Sequence, residues 1–159
     1  LAVQAIPATG CCGALSHHLA REDRTLNTIR ANIDRWWPHI EAGAEALILT
    51  ATGCAPTVLD YGRLMEKDPD YAEKAARVAS LALDISAFLQ DEDPGLWAAK
   101  SENQPLIAFH SPCTLQHGLK SAGKVEALLT QAGFRPLCTR SLHISHLVMV
   151  PLGPFRGML

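Results

Sequence analysis

Two adjacent cysteines and two adjacent histidines lie close together in residues 8–20, which read ATGCCGALSHHLA. Thiolates and imidazoles are the usual protein ligands of zinc, and thiolates also hold iron–sulfur clusters. Cys11, Cys12, His17 and His18 do not have the spacing of the common zinc signatures. Neighbouring residues of a helix point about 100° apart, so we expect the two histidines to lie beside a site rather than share a metal.

The composition sets the class of protein that holds these residues. The chain has 159 residues, of which 48% are hydrophobic and 19% charged, which is typical of a folded domain with its own core. Its formal net charge of -2 gives no basic surface for nucleic acid. No apolar run approaches the roughly 20 residues that span a bilayer. Because the sequence opens at Leu1 without a charged leader, we expect a piece of a longer protein.

Short apolar runs alternate with amphipathic segments, and this alternation predicts an α/β fold with a parallel sheet. The predicted strands are residues 1–6, 45–51, 105–110 and 134–139. The predicted helices are residues 21–43, 58–65, 71–89 and 122–132. Gly43 is predicted to cap the first of these helices, and the adjacent Trp36 and Trp37 are predicted to pack in the protein interior.

Four of the five cysteines follow predicted strands. Cys11 and Cys12 come after the first strand, Cys54 after the second and Cys113 after the third. The carboxyl ends of parallel strands meet at one edge of a sheet, and helix N-termini there stabilise thiolates. Clustered cysteines in a chain without secretory marks favour metal or redox chemistry over a disulfide framework. The pattern therefore predicts a metal or cluster site that collects these cysteines.

Two other interpretations stay open at this point. Buried cysteines often serve as small apolar residues, and Cys138, inside the fourth predicted strand, is expected to be one. Gly10 and Gly13 count against this interpretation for the paired cysteines, because glycines let the backbone approach a bulky ligand. A cysteine-nucleophile enzyme that uses Cys54 or Cys113 beside a histidine is the second alternative. It would leave the paired cysteines without a role.

Three segments together resemble the glycolate oxidase iron–sulfur subunits: TGCCGALSHHL, RANIDRWWPHIEAGAEALILTATGCAP and AFHSPCTLQHG. In that family they belong to two cysteine-rich CCG repeats, which are shared with the heterodisulfide reductase B subunit. The resemblance implies strand–Cys loop–helix units arranged as Rossmann-like half repeats. It assigns residues 1–90 to a first repeat that lacks its early cysteine, 91–104 to a linker and 105–143 to the start of a second repeat. Residues 144–159 are an atypical tail, for which we expect a shifted reading frame near Ile144.

The resemblance also implies which residues bind the cofactor. Cys11, Cys12 and Gly13 match the triplet of the first repeat, and Cys54 matches its late cysteine. Cys113 matches the early cysteine of the second repeat. Cys11, Cys12 and Cys54 would be ligands of one site and Cys113 of a second, incomplete one. The cofactor implied is a [4Fe–4S] cluster, with zinc as the alternative.

The role that the resemblance implies is electron transfer. An FAD-binding partner subunit would oxidise glycolate to glyoxylate, and the iron–sulfur subunit would pass the electrons towards the membrane quinone pool. This chain carries nothing that resembles a flavin site. The expected location is the cytoplasm, with peripheral attachment at the inner face of the bacterial cell membrane. A zinc-stapled docking module and a thiol–disulfide enzyme similar to heterodisulfide reductase are the alternatives.

Overall fold

A computed structural model of the chain describes residues 2–7, 10–96, 104–138 and 150–151. The chain divides after Asp84 into two units of dense internal contact. Each unit contains helices and its own pair of parallel strands. The predicted α/β class is therefore confirmed, with two short sheets among the described residues where the sequence pattern predicts one.

The first unit carries the first three cysteines of the sequence. Its helices are α1 (Ala14–His18), α2 (Glu22–Glu41), α3 (Ala55–Leu59), α4 (Tyr61–Leu64) and α5 (Ala72–Leu81). Its strands are β1 (Leu47–Leu49) and β2 (Ala82–Asp84), which pair in parallel with Leu47 opposite Ala82. A parallel pair needs a long crossover connection, and α3, α4 and α5 form it here.

Helix α2 follows the predicted helix over 21–43 closely. Ile29, Ile33 and Trp36 recur at steps of three and four and are all buried, so one face of the helix meets the core. Gly43 ends the helix with a φ of 99°, and its N–H donates to the Ile40 carbonyl. Glycine adopts this left-handed conformation at little cost, which confirms the predicted cap.

The prediction of one helix over residues 71–89 is wrong. Helix α5 ends at Leu81, Ala82 is extended with a ψ of 127°, and Ala82–Asp84 form strand β2. Helix α6 (Ile85–Asp91) then follows directly. The apolar spacing is compatible with a helix throughout, but pairing with β1 satisfies the backbone of this buried segment, and a local pattern does not reveal such a partner.

The predicted strand over residues 1–6 is also wrong for its described part. Residues 2–6 form no strand, and Val3 keeps 88% of its surface exposed. Ile6 alone of these residues packs against the core. The apolar run therefore gains little burial, and the paired cysteines follow an irregular segment instead of a strand end.

The second unit contains Cys113. It comprises α6, the strands β3 (Leu106–Phe109), β4 (Arg135–Cys138) and β5 (Val150–Pro151), and helix α7 (Lys124–Gln131). Strand β3 pairs in parallel with β4 and antiparallel with β5. The predicted strands over 105–110 and 134–139 and the predicted helix over 122–132 are confirmed within their described residues.

Several predictions fall partly outside the described residues. These are the linker over 91–104, the end of the second repeat, and most of the tail over 144–159, of which only Val150 and Pro151 are described. The repeat boundaries stay predictions. Among the described residues, no helix is both long and apolar enough to cross a membrane.

Candidate metal centre

The paired cysteines lie on an irregular segment that runs along helix α2 and enters helix α1. Cys11 is exposed, whereas Cys12 is buried with 7% of its surface exposed and belongs to the core of the first unit. Gly13 takes a φ of 90° immediately before α1 begins. The two neighbouring thiols therefore meet different surroundings, one open to solvent and one inside the core.

Cys54 reaches the same place from another part of the chain. It follows strand β1 and is the N-cap residue of α3, which carries a proline in its first turn. The Cys54 N–H donates to the Ala51 carbonyl at 2.8 Å, which closes the turn after the strand. The half-buried Cys54 packs against the core cluster that contains Cys12, and the two thiols interact. The predicted convergence of these two cysteines is thus present in the structure.

The electrostatic setting of Cys12 differs from the sequence expectation. Burial is the largest of the causes that together raise the pKa of the Cys12 thiol to about 11, and the interaction with the Cys54 thiol acts in the same direction. The Ala14 N–H at the start of α1 acts in the opposite direction and lowers the pKa. The helix N-terminus therefore favours the thiolate as expected, but desolvation is the larger effect.

Two side chains from the first unit hold the backbone of the paired cysteines. The Asn32 Nδ2 atom of α2 donates to the Cys11 carbonyl at 2.8 Å and to the Tyr61 hydroxyl oxygen at 3.1 Å. The Tyr61 hydroxyl of α4 donates in turn to the Cys12 carbonyl at 2.8 Å. Asn32 and Tyr61 are both fully buried, so these bonds are shielded from water.

The glycines beside the cysteines also have roles within the protein, and their predicted role towards a ligand stays a prediction. A Cβ added to Gly10 would lie 3.1 Å from Arg35 Nη1 and 3.2 Å from Asn32 Oδ1, so a side chain here would have to displace these two groups by a few tenths of an ångström. Gly13 is needed for its left-handed backbone. Gly10 thus lies close to α2, and Gly13 allows the turn into α1.

The ring of Tyr61 stacks on that of an aromatic neighbour, Trp36. The rings of Trp36 and Tyr61 stack with centroids 6.1 Å apart and planes 12° from parallel. The predicted packing role of Trp36 is confirmed, since 5% of its surface is exposed. Trp37 is only half-buried and donates to Glu41.

Asn32 and Tyr61 are not among the site residues that the sequence predicts. A signal for Asn32 is present, because it is a polar residue between Ile29 and Ile33 on the apolar face of α2. Buried amides almost always have hydrogen-bond partners. Its position therefore indicates a buried bond, although the pattern does not say to which segment.

The histidines lie near the cysteines without joining them. His17 and His18 are exposed on α1, with ring centroids 6.0 Å apart. In the second unit, Cys113 is exposed and begins a π-helical turn (Thr114–Gly118) directly after β3. Cys138 is the last residue of β4, and its side chain lies outside the described part of the structure.

These placements decide how far the chain fits a metal or cluster. Cys11, Cys12 and Cys54 supply three sulfur donors near one another, and the charges of Cys11 and Cys54 both act on Cys12. Sulfur donors of this kind suit zinc or an iron–sulfur cluster. Within the described residues, however, no group of three or more histidine, cysteine or acidic side chains has the arrangement of a formed metal site. The donor chemistry fits, but the three thiols are not arranged as a formed site.

The comparison with known proteins supports the resemblance stated above. The chain is 44% identical over 136 residues to the glycolate oxidase iron–sulfur subunit of Escherichia coli, a match that covers 84% of this chain. The chain is thus similar to a glycolate oxidase iron–sulfur subunit over most of its own length. It is also 26% identical over 77% of its length to the probable glycolate oxidase iron–sulfur subunit of Bacillus subtilis. Lactate utilization protein A of Shouchella clausii is 24% identical over 76% of this chain.

The match covers only a part of each of these homologues. It spans 33% of the E. coli subunit, 27% of the B. subtilis protein and 48% of the S. clausii protein. The predicted membership of a larger protein agrees with this coverage. No protein-family model matches the chain, and no solved structure is significantly similar to it.

Proposed function

We propose that this chain is the cluster-binding part of an iron–sulfur subunit in a glycolate oxidase complex. In this complex an FAD-binding partner subunit oxidises glycolate to glyoxylate, and the electrons pass through the iron–sulfur subunit towards the quinone pool. The name of the E. coli homologue supports the assignment to an oxidoreductase complex. The single structural observation that carries the proposal is the contact between the thiols of Cys12 and Cys54, with Cys11 adjacent.

The proposed ligands divide between the two units of the chain. Cys11, Cys12 and Cys54 are the ligands of the first site, and Cys113 belongs to a second site. A [4Fe–4S] cluster would supply one-electron chemistry between a flavin and a quinone, and zinc would supply a structural tie instead. The protein contributes the sulfur donors, the buried backbone that supports them and the apolar core behind Cys12.

We assign the complex to the cytoplasm, peripheral to the inner face of the cell membrane, because quinones are the proposed acceptors. The partners are FAD-binding subunits, with no nucleic acid, in line with a formal net charge of -2.

The raised pKa of Cys12 bears on the alternative of a thiol–disulfide enzyme. With a pKa of about 11, only about one Cys12 in ten thousand is a thiolate at pH 7. The thiolate is the nucleophile in disulfide exchange, so Cys12 in its metal-free state is a poor catalyst of that reaction. Binding of a metal would instead displace the proton and make use of the same thiol.

The test is anaerobic reconstitution of the chain with iron and sulfide, followed by metal analysis and electron paramagnetic resonance. We expect bound iron and sulfide with a reducible signal that Cys12→Ser abolishes. Cys138→Ser is the matched control, because the sequence assigns Cys138 no ligand role, and it should keep the signal.

Two other results would reject the electron-transfer role. Stoichiometric zinc with no paramagnetic signal after reduction would make the chain a docking module. Disulfide turnover by the metal-free protein would make it a thiol–disulfide enzyme.

A further inference from the structure

We infer that Asn32 and Tyr61 are positioning residues that hold the backbone of Cys11 and Cys12 in the orientation in which the Cys12 thiol meets Cys54. This inference deepens the proposed function, since it names what holds the ligands of the first site. It rests on three hydrogen bonds, two buried side chains and one glycine contact. None of these involves the thiols themselves.

The carbonyls of the two cysteines are held by two different side chains. Asn32 Nδ2 binds the Cys11 carbonyl at 2.8 Å and the Tyr61 hydroxyl binds the Cys12 carbonyl at 2.8 Å. Two successive peptide planes are therefore fixed by donors on separate helices. With both planes held, the direction of the Cα–Cβ bond of Cys12, whose Cα joins them, is set, and one of the two planes that flank the Cα of Cys11 is held as well.

The two donors, Asn32 and Tyr61, are also hydrogen-bonded to each other. Asn32 Nδ2 also donates to the Tyr61 hydroxyl oxygen at 3.1 Å, so the hydroxyl accepts from one partner and donates to the other. Each donor is thereby aligned by the other, and stacking on Trp36 holds the phenol ring. Bonds in such a buried chain reinforce one another.

Gly10 lets the segment of the paired cysteines come close to helix α2. Gly10 packs against Asn32 and Arg35, where any side chain would crowd both. In this way Gly10 allows the Cys11 carbonyl to reach Asn32. The sequence Gly-Cys-Cys-Gly thus combines two thiols with two glycines that let the backbone bind to the protein.

The test uses Tyr61→Phe, which removes the hydroxyl and keeps the ring. Tyr71→Phe is the matched control, because the Tyr71 hydroxyl also contacts α2, at Asp34, but bonds neither cysteine. The readout is the rate at which iodoacetamide alkylates Cys12 in the metal-free chain, followed by mass spectrometry. We expect Tyr61→Phe to increase this rate about tenfold and Tyr71→Phe to leave it unchanged. Cys113, in the second unit, is the internal reference.

A general loss of stability must be separated from a loss of positioning. Val78→Ala destabilises the same core without touching the hydrogen bonds, since Val78 is fully buried on α5. The two variants are compared at similar losses of stability. If Val78→Ala then increases the rate of Cys12 alkylation as much as Tyr61→Phe does, the positioning role is overturned.

A second arm measures cobalt(II) binding through the visible bands of cobalt–thiolate complexes. We expect Tyr61→Phe to weaken cobalt binding about tenfold and to shift these bands, with Tyr71→Phe like the wild type. If the wild type binds no metal, the proposed function fails, and the alkylation rates still decide the inference. If the wild type binds metal and alkylation is unchanged in Tyr61→Phe, the inference fails and the proposed function stands.

Discussion

The thiol of Cys12 interacts with that of Cys54, although the two residues lie on opposite sides of strand β1 in the sequence. One is buried in the core of the first unit and the other caps helix α3. This contact joins the CCG segment to the turn after the first strand. It is the relationship on which the stability and reactivity of the site depend.

The buried Cys12 thiol predicts a loss of stability at high pH. Its pKa rises from 9.0 to about 11 on folding, so the folded state prefers the protonated thiol. The resulting stabilisation is fully present below pH 9 and is lost as the pH rises through about 11. We expect the free energy of unfolding to fall by about 2 kcal/mol between pH 8 and pH 10.5. Urea denaturation at pH 8 and pH 10.5 measures this change.

Cys12→Ala is the control for the pH experiment. This variant lacks the titrating thiol, so its stability should fall less over the same range. An equal fall in Cys12→Ala and the wild type would contradict the assignment, since Tyr61, whose pKa is also raised by burial, would then account for the effect.

The division of the cysteines between two units predicts independent ligands. We expect Cys54→Ser to abolish metal binding at the first site, because it removes the partner of the Cys12 thiol. Cys113→Ser should leave that binding within about twofold of wild type, since Cys113 lies in the second unit. Titration with cobalt(II) or zinc measures both. Equal losses in the two variants would show that all four cysteines form one site.

The left-handed backbone at Gly13 predicts a cost for any side chain there. Its φ is 90°, and an added Cβ would meet neighbours only at 3.7 Å or more, so the cost of Gly13→Ala is conformational. We expect a loss of about 1–2 kcal/mol in the free energy of unfolding. Gly53→Ala is the control, because Gly53 has no positive φ and no atom lies within 4 Å of the added Cβ. Similar losses in both variants, measured by urea denaturation, would be inconsistent with this explanation.

The two adjacent tryptophans should respond differently to truncation. Trp36→Ala removes a buried ring that stacks on Tyr61, and we expect it to cost about 3–5 kcal/mol or to prevent folding. Trp37→Ala removes a half-buried ring with a hydrogen bond to Glu41 and should cost about 1 kcal/mol. Circular dichroism during chemical denaturation compares the two. Equal costs would mean that the helix faces are assigned incorrectly.

Much of the fold follows from local sequence patterns. The spacing of Ile29, Ile33 and Trp36 predicts helix α2, and Gly43 predicts where it ends. The strands β3 and β4 of the second unit are also predicted. In these segments the local pattern and the tertiary contacts favour the same structure.

The errors arise where a distant partner decides the local structure. Ala82 and Asp84 follow a helical pattern yet pair with β1, and the apolar residues 2–6 have no strand partner among the described residues. The same reason explains the site. The sequence predicts which cysteines are close, but it does not show that desolvation outweighs the helix N-terminus at Cys12.

The hydrogen bonds around the paired cysteines also constrain the order in which the chain folds. The bond from Asn32 to the Cys11 carbonyl spans 21 positions in the sequence, and the bond from Tyr61 to the Cys12 carbonyl spans 49. Closing such loops costs entropy before any contact stabilises them. During synthesis the paired cysteines leave the ribosome well before Tyr61, so their supports become available one after the other. A nascent chain therefore exposes the two thiols first, and the hydrogen bonds that hold the backbone of Cys11 and Cys12 form only later.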